Sequence, residues 1–183
     1  MSAIDPVAKA LLDDLDEGFA ELYAGHRNLV FSTALRLSGN WSCAEDLTAE
    51  AFLRAYRALA GYGPDRLAAL QPRAWLMTVL MNHWRNAARA KARKPPPDLR
   101  DEPLDEVDPG QDVEAAAERR ETGDELAALL GLLPAEQRAA VVLRHVADLP
   151  VAEIATVLRI PQGTVKSHVS RGLQRLRALG GVR

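Results

Sequence analysis

The sequence predicts an all-α protein of two small helical domains joined by a flexible acidic linker. Three observations carry that expectation. Apolar residues recur at three- and four-residue spacing through both ends of the chain, with no alternating stretch long enough for a convincing strand. Between those ends, the interval from Pro95 to Asp124 is rich in proline and acid and holds few large apolar groups, too few to offset the entropy of ordering it. Charge is also segregated: residues 1–97 hold 12 Lys/Arg against 10 Asp/Glu, residues 98–125 hold 3 against 12, and residues 126–183 hold 8 against 3, while the chain as a whole carries only −2. Two mildly basic blocks around a strongly acidic one fit two nucleic-acid-facing modules and a spacer that does not bind.

Taken in order, Leu11, Leu12, Leu15, Phe19, Leu22 and Tyr23 open the helical pattern, Leu29, Val30 and Leu37 continue it, and Leu47, Phe52, Tyr56 and Leu59 form a further stretch. The segments "SGNWS" and "GYGPD" between them carry the Gly, Asn, Ser and Pro that interrupt helices. The next helix, "PRAWLMTVLMNHWRNAARAKARK", opens with Pro72 in a first-turn position and ends in a basic tail that stops at Pro95-Pro96-Pro97. The later part of the linker, "DVEAAAERRETGDELAALLGLL", can itself become helical. Beyond it, Leu126, Leu129, Leu130 and Leu133, then Val141, Val142 and Leu143, then Ile154 and Leu158, then Val165, Val169, Leu173 and Leu176 fit four short helices. The expected organisation is therefore a first domain over 1–94, a linker over 95–124 and a second domain over 125–183.

Several function classes are excluded by what the pattern lacks. No window approaches the roughly 18 consecutive apolar residues of a membrane span, and the first residues are acidic where a signal peptide is basic, so a cytoplasmic protein without membrane insertion is expected. Cys43 is the single cysteine, which forbids an internal disulfide or a cysteine metal cluster. His83 and His145 have no cysteine or carboxylate at ligand spacing, and there is no phosphate-binding or dinucleotide glycine pattern. No catalytic site, metal or cofactor is expected, and the chain does not read as an enzyme.

The stretch "VAEIATVLRIPQGTVKSHVSRGLQRL" carries the sharpest signal. Ile154 and Leu158 lie four apart on one helix and Val165 and Val169 four apart on the next, so each helix has a buried face. Ala155 is small where two crossing helices leave no room, Ile160 plugs the turn, and Pro161 suits the first turn of the second helix. Gly163 and Thr164 fall in its early turns, where free N–H groups can face a phosphate. The opposite face holds Lys166, Ser167, Ser170 and Arg171, with His168 beside them, side chains able to reach base edges and phosphates in a major groove.

With these residues in view, the chain resembles the extracytoplasmic-function (ECF) sigma factors, the compact branch (group 4) of the sigma-70 family. "LPAEQRAAVVLRHVADLPVAEIATVLRIPQGTVKSHVSRGLQRLRAL" is similar to their region 4 helix-turn-helix, "FAELYAGHRNLVFSTALRLSGNWSCAEDLTAEAFLRAYRAL" to regions 2.1 and 2.2, and "PRAWLMTVLMNHWRNAARAKARK" to regions 2.3 and 2.4. The resemblance implies a protein that directs RNA polymerase to promoters and has no chemistry of its own. Its implied partners are core RNA polymerase, through the β′ clamp helices and the β flap, promoter DNA, and an anti-sigma factor.

Residue by residue, the resemblance places Asp46, Glu50, Phe52, Arg54 and Arg57 on the polymerase-docking helix. It places Asn82, Trp84, Arg85, Arg89, Arg93 and Lys94 at the melted minus-10 strand, where stacking, edge reading and a phosphate-neutralising tail are all needed. Thr164, Lys166, Ser167, His168, Ser170 and Arg171 fall at the minus-35 duplex. Trp75, in "AWL", stands at buried spacing and reads as core. Pro150 and Val151 depart from the family's usual hydroxyl cap and aromatic, so the first helix of the motif lacks a hydroxyl cap. The rival reading is a stand-alone helix-turn-helix regulator, which would need a strand-containing sensor domain in the first block, and that block has none.

Overall fold

A computed structural model describes residues 4–93, 123 and 125–179, with the side chains of 91–93 outside it. The interval read as linker lies outside the described residues except Gly123, and so does Lys94. Every regular element among the described residues is helical. The first block holds α1 (Pro6–Asp13), α2 (Leu15–Ser38), α3 (Trp41–Leu59), α4 (Pro64–Ala68) and α5 (Pro72–Arg93). The second holds α6 over 125–131, then α7 (Ala135–His145), α8 (Val151–Leu158) and α9 (Gln162–Leu179).

Short polar residues set the helix ends. Asp5 caps α1 by accepting from the Val7 N–H at 2.9 Å, with Pro6 in the first turn. Asp14 is extended (φ −151°, ψ 127°) and accepts from the Glu17 N–H at 2.9 Å. It therefore ends α1 and starts α2, a break that the apolar spacing alone does not announce. Gly39 takes the left-handed conformation (φ 72°) at the end of α2, and Asn40 caps α3 through Cys43 at 2.9 Å. The proline expected in the first turn of α9 stands one residue ahead of it: α9 begins at Gln162, and the Pro161 carbonyl accepts from the Val165 N–H at 3.1 Å. Helix α8 follows Pro150 without any side-chain cap, as its missing hydroxyl foretold.

One contiguous apolar core runs through both blocks. It extends from Leu22, Leu37, Leu59, Leu76, Met77, Leu80 and Met81 in the first to Leu143, Leu149 and Ile154 in the second. Helix α2 packs on α1, α3 and α5, while α9 packs on α7 and α8; the two sets meet where α5 lies on α8 and α2 on α7. Two glycines mark the tightest crossings. A Cβ at Gly18 would sit 2.4 Å from the backbone N of Leu11, so α1 folds back on α2 with no room for a methyl group. A Cβ at Gly172 would sit 2.6 Å from Val141 Cγ2, so α9 and α7 touch there. Gly25, by contrast, is exposed on α2 with nothing within 4 Å of a Cβ.

These glycines should therefore respond oppositely to alanine. Gly18→Ala must displace backbone and should cost on the order of 1–3 kcal/mol or more. Gly25→Ala should gain roughly 0.5–1 kcal/mol from helix propensity alone. Thermal melts of the two variants check this: a Gly18→Ala protein melting at or above the wild-type temperature would contradict the close α1–α2 crossing.

Candidate nucleic-acid interface

Three exposed faces emerge once the apolar sides of the helices are accounted for. On α9, Val165 is fully buried, which turns Lys166, Ser167, Ser170 and Arg171 outward. Ser167 donates to the Gly163 carbonyl at 3.0 Å, and Thr164 lies at the edge of this face, half-buried. At about 100° per residue, Lys166 and Arg171 flank the face from opposite sides, with Ser167 and Ser170 between them. His168 is half-buried on the α7 side, and its Nδ1 is enclosed without a hydrogen-bond partner among the described residues. Ile160 packs on the core at the α8–α9 turn, and Arg159 ahead of it adopts the left-handed conformation (φ 57°) that closes α8.

Helix α5 separates the residues that the sequence grouped together. Asn82 and Arg89 are exposed, seven residues apart on one face, and Trp75 stands seven before Asn82 on the same side. Trp84 lies about 200° round the helix from Asn82 and packs half-buried against the core, so it stands apart from the Asn82 face. Arg85 lies about 60° round the helix from Asn82 and about 40° from Arg89, half-buried at the edge of that face, and donates through Nη1 to the Leu158 carbonyl of α8 at 3.4 Å. Arg93 lies on the last turn of α5, its side chain outside the described part.

The loop before α5 supplies what the sequence reading did not nominate. Trp75 Nε1 donates to the Tyr62 hydroxyl at 3.2 Å, and the two rings meet edge to face at 6.0 Å. Arg66 lies over the Tyr62 ring, 3.6 Å from its centroid, and also donates to the hydroxyl at 2.9 Å. Trp75 packs half-buried against the core, as expected, and so does Tyr62, through which it connects to the exposed Arg66. An aromatic residue in a Gly-Tyr-Gly-Pro turn with an arginine four residues on was the signal that could have found it.

Along α3, Asp46, Glu50, Arg54 and Arg57 fall on one stripe, with Glu50 and Arg54 paired at 2.6 Å. Leu53, 44% exposed, sits within that stripe and was also missed. Phe52 corrects the expectation: it is 4% exposed and faces inward, edge to face with Tyr23 at 4.8 Å and Phe19 at 6.3 Å, because its position lies opposite the charged stripe. From α5, His83 sits close to the stripe. Burial and then the Arg54 charge push its imidazole below the usual range, with Glu50 opposing.

Among the described residues, no helix is long and apolar enough to cross a membrane. No group of three or more His, Cys, Asp or Glu there could hold a metal ion.

A helix-turn-helix domain packed on a second helical domain, each with an exposed face bearing basic side chains, is the architecture of a two-domain DNA-binding protein. The family is then given by direct likeness. Residues 22–94 match the family model for sigma-70 region 2, and residues 123–176 that for sigma-70 region 4. The ECF RNA polymerase sigma factor SigE of Mycolicibacterium smegmatis is 34% identical over 182 residues, covering 94% of this chain and 67% of that protein. SigL of Mycobacterium tuberculosis is 35% identical over 159 residues, 85% of each chain. The sigma factor RpoE of Bartonella quintana, solved with the anti-sigma factor NepR, shares the fold with a TM-score of 0.68 at 22% identity, covering 90% of this chain and 97% of that one. The chain belongs to the sigma-70 family, in its ECF group. Sigma factors are non-catalytic initiation factors that direct core RNA polymerase to promoters.

One contact near these faces is open to titration. The Tyr56 hydroxyl donates to Asp16 Oδ1 at 2.7 Å, and this bond, then the Asp16 charge, raise its pKa above the ordinary phenol value. The contribution is present below the unfolded tyrosine value near 10 and is lost as pH rises through the folded value. In an ultraviolet titration Asp16→Asn should move one tyrosine to lower pH; an unchanged curve would show that the bond does not hold in solution.

Proposed function

We propose that this sigma factor divides promoter recognition between its domains. Residues 1–94 bind core polymerase and the melted minus-10 strand, residues 125–183 bind the minus-35 duplex, and 95–124 tether them. The polymerase surface is the α3 stripe of Asp46, Glu50, Leu53, Arg54 and Arg57, meeting the β′ clamp helices, while the second domain meets the β flap. The minus-10 strand is read by Asn82 and the Tyr62–Arg66–Trp75 cluster, with Arg85, Arg89, Arg93 and Lys94 on its phosphates. Lys166, Ser167, Ser170 and Arg171 enter the minus-35 major groove, flanked by Thr164 and His168. The protein acts in the cytoplasm, without catalysis of its own, and is held in check by an anti-sigma factor.

The single observation that carries this reading is the separation of exposed from buried positions on α9. Lys166, Ser167, Ser170 and Arg171 all lie on the open side, and Gly163, at its N-terminal end, has nothing within 4 Å of a Cβ. Among the described residues, no packing contact calls for glycine at that position. Close approach of a phosphate to the backbone N–H groups there accounts for it.

The experiment is transcription with purified core polymerase on promoters carrying single minus-35 substitutions, over a range of salt. Lys166→Ala should lose on the order of 1–3 kcal/mol on the preferred promoter and relax preference at one position. Arg89→Ala should weaken all promoters alike and flatten the salt dependence. If Lys166→Ala lowers every promoter by one factor and leaves their ranking intact, base reading does not reside on that face. Tight, selective promoter binding by the free protein would favour a stand-alone regulator.

Placement of α9 should matter as much as its side chains. Gly172→Ala forces the helix away from Val141 and should reduce minus-35-dependent transcription while leaving promoters with weak minus-35 elements little affected. Adding Val141→Ala should restore much of the loss, since it removes the clashing methyl group. Absence of rescue would mean that the defect does not arise from the α7–α9 contact.

A further inference from the structure

The two halves of the fold are fastened by an exchange of arginines. Arg138, in the first turns of α7, donates Nη1 to the Leu37 carbonyl at 2.8 Å, in the last turn of α2. Its Nη2 holds its own half together, donating to the Gly131 carbonyl at 2.8 Å and the Leu133 carbonyl at 3.2 Å. In the other direction, Arg85 of α5 donates to Leu158, the last residue of α8, at 3.4 Å. Each guanidinium thus lands on the C-terminal end of a helix from the opposite half, where the final carbonyls lack intrahelical partners and the helix dipole is negative.

We propose that these reciprocal caps latch the two domains closed, and that Arg85 is shared in turn between the latch and a bound DNA strand. This rests on the reading of α5 as the strand-binding helix. While the Leu158 carbonyl holds Arg85, that guanidinium is withdrawn from phosphate; once α8 moves away, it joins Arg89 on the exposed basic run of α5.

The geometry makes one cap firm and the other releasable. Arg138 makes three bonds, two of them at 2.8 Å. Among the described residues, Arg85 makes a single interdomain bond, at the long limit. Burial first, and then the Arg89 charge, disfavour its cationic form, with Glu136 opposing and Arg159 adding to the repulsion. A phosphate answers both deficits, because it accepts a charge-assisted bond stronger than one to a neutral carbonyl and offsets the neighbouring cations. Salt screens the repulsion, so the closed form should survive high salt, whereas a latch made of ion pairs would open.

The test uses the full chain with one dye on Cys43, exposed on α3, and the other on Gln174→Cys, exposed on α9. A single-stranded oligodeoxynucleotide is the probe. In the wild type, energy transfer should be high, stay high as salt rises, and fall when the oligonucleotide is added. Arg138→Gln should lower transfer without it and raise oligonucleotide affinity on the order of tenfold, by removing a competitor for Arg85. Arg85→Gln should also lower transfer but weaken oligonucleotide binding. These opposite signs are the signature of sharing.

Wild-type transfer in both variants, or opening of the wild type by salt alone, overturns the latch. Lowered transfer in Arg138→Gln with unchanged oligonucleotide affinity overturns the sharing. If Arg85→Gln opens the domains yet binds the oligonucleotide as the wild type does, the latch stands and the strand-binding role of Arg85 fails. Circular dichroism shows whether Arg138→Gln keeps its helices; if it does not, transfer in Arg85→Gln alone decides the latch, since the hydrogen bond that substitution removes among the described residues is the interdomain one.

Discussion

Packing around α2 is the constraint on which the rest of the structure depends. The helix is 24 residues long and is covered by α1, α3, α5 and α7, so it cannot be apolar along one stripe alone. Gly18 admits α1, Leu22, Val30, Ala34 and Leu37 fill the centre, and Thr33 satisfies its buried hydroxyl by donating to the Leu29 carbonyl at 2.8 Å. Because α3 turns Leu47, Ala51, Phe52, Ala55 and Leu59 inward, its charged stripe can only face outward. The seat of α5 on α2 and α3 likewise determines which of its basic residues look to solvent. The faces assigned to polymerase and to the minus-10 strand are thus the complement of what α2 and its neighbours cover.

The second domain is organised by a different contact, the approach of α9 to α7 at Gly172. There the recognition helix lies backbone against side chain, and a single added carbon would collide with Val141. Such closeness fixes the rotation of α9, since a helix turned by even one position would present a side chain where only hydrogen fits. Gly163 and Gly172 therefore do unlike things on one helix. The second is required by the protein's own packing, and the first is free of it.

Arginine serves both stability and recognition in this fold, and the two uses meet at one residue. A guanidinium that caps helix carbonyls across the domain seam is the same chemical object that binds a phosphate. Arg138 is committed to carbonyls of the protein itself on both sides of the seam. Arg85, with one long bond among the described residues and cationic neighbours, is held far less tightly, which places the adjustable contact on α5, the helix proposed to bind the strand.

Much of this was legible in the sequence. The all-helical class followed from apolar spacing, the helix-turn-helix from Ala155, Ile160 and the Val165–Val169 pair, and the outward set on α9 from its alternation with them. These are local properties, set by a period of about 3.6 residues and by sterics within one turn. The break at Asp14 was also written locally, as an acidic cap, but the apolar pattern ran across it. What the sequence could not decide was which side of a helix lies toward a distant partner. Phe52 and Trp84 both carry chemistry suited to an exposed site, yet α3 and α5 turn them toward the core; Tyr62 and Trp75, thirteen residues apart, meet only because the loop and α5 fold against one another. Arg85 and Arg138 reach their carbonyls across 73 and 101 residues. Sequence determines the faces that each helix possesses; only tertiary packing decides which of them is covered, because burial is a property of pairs of elements.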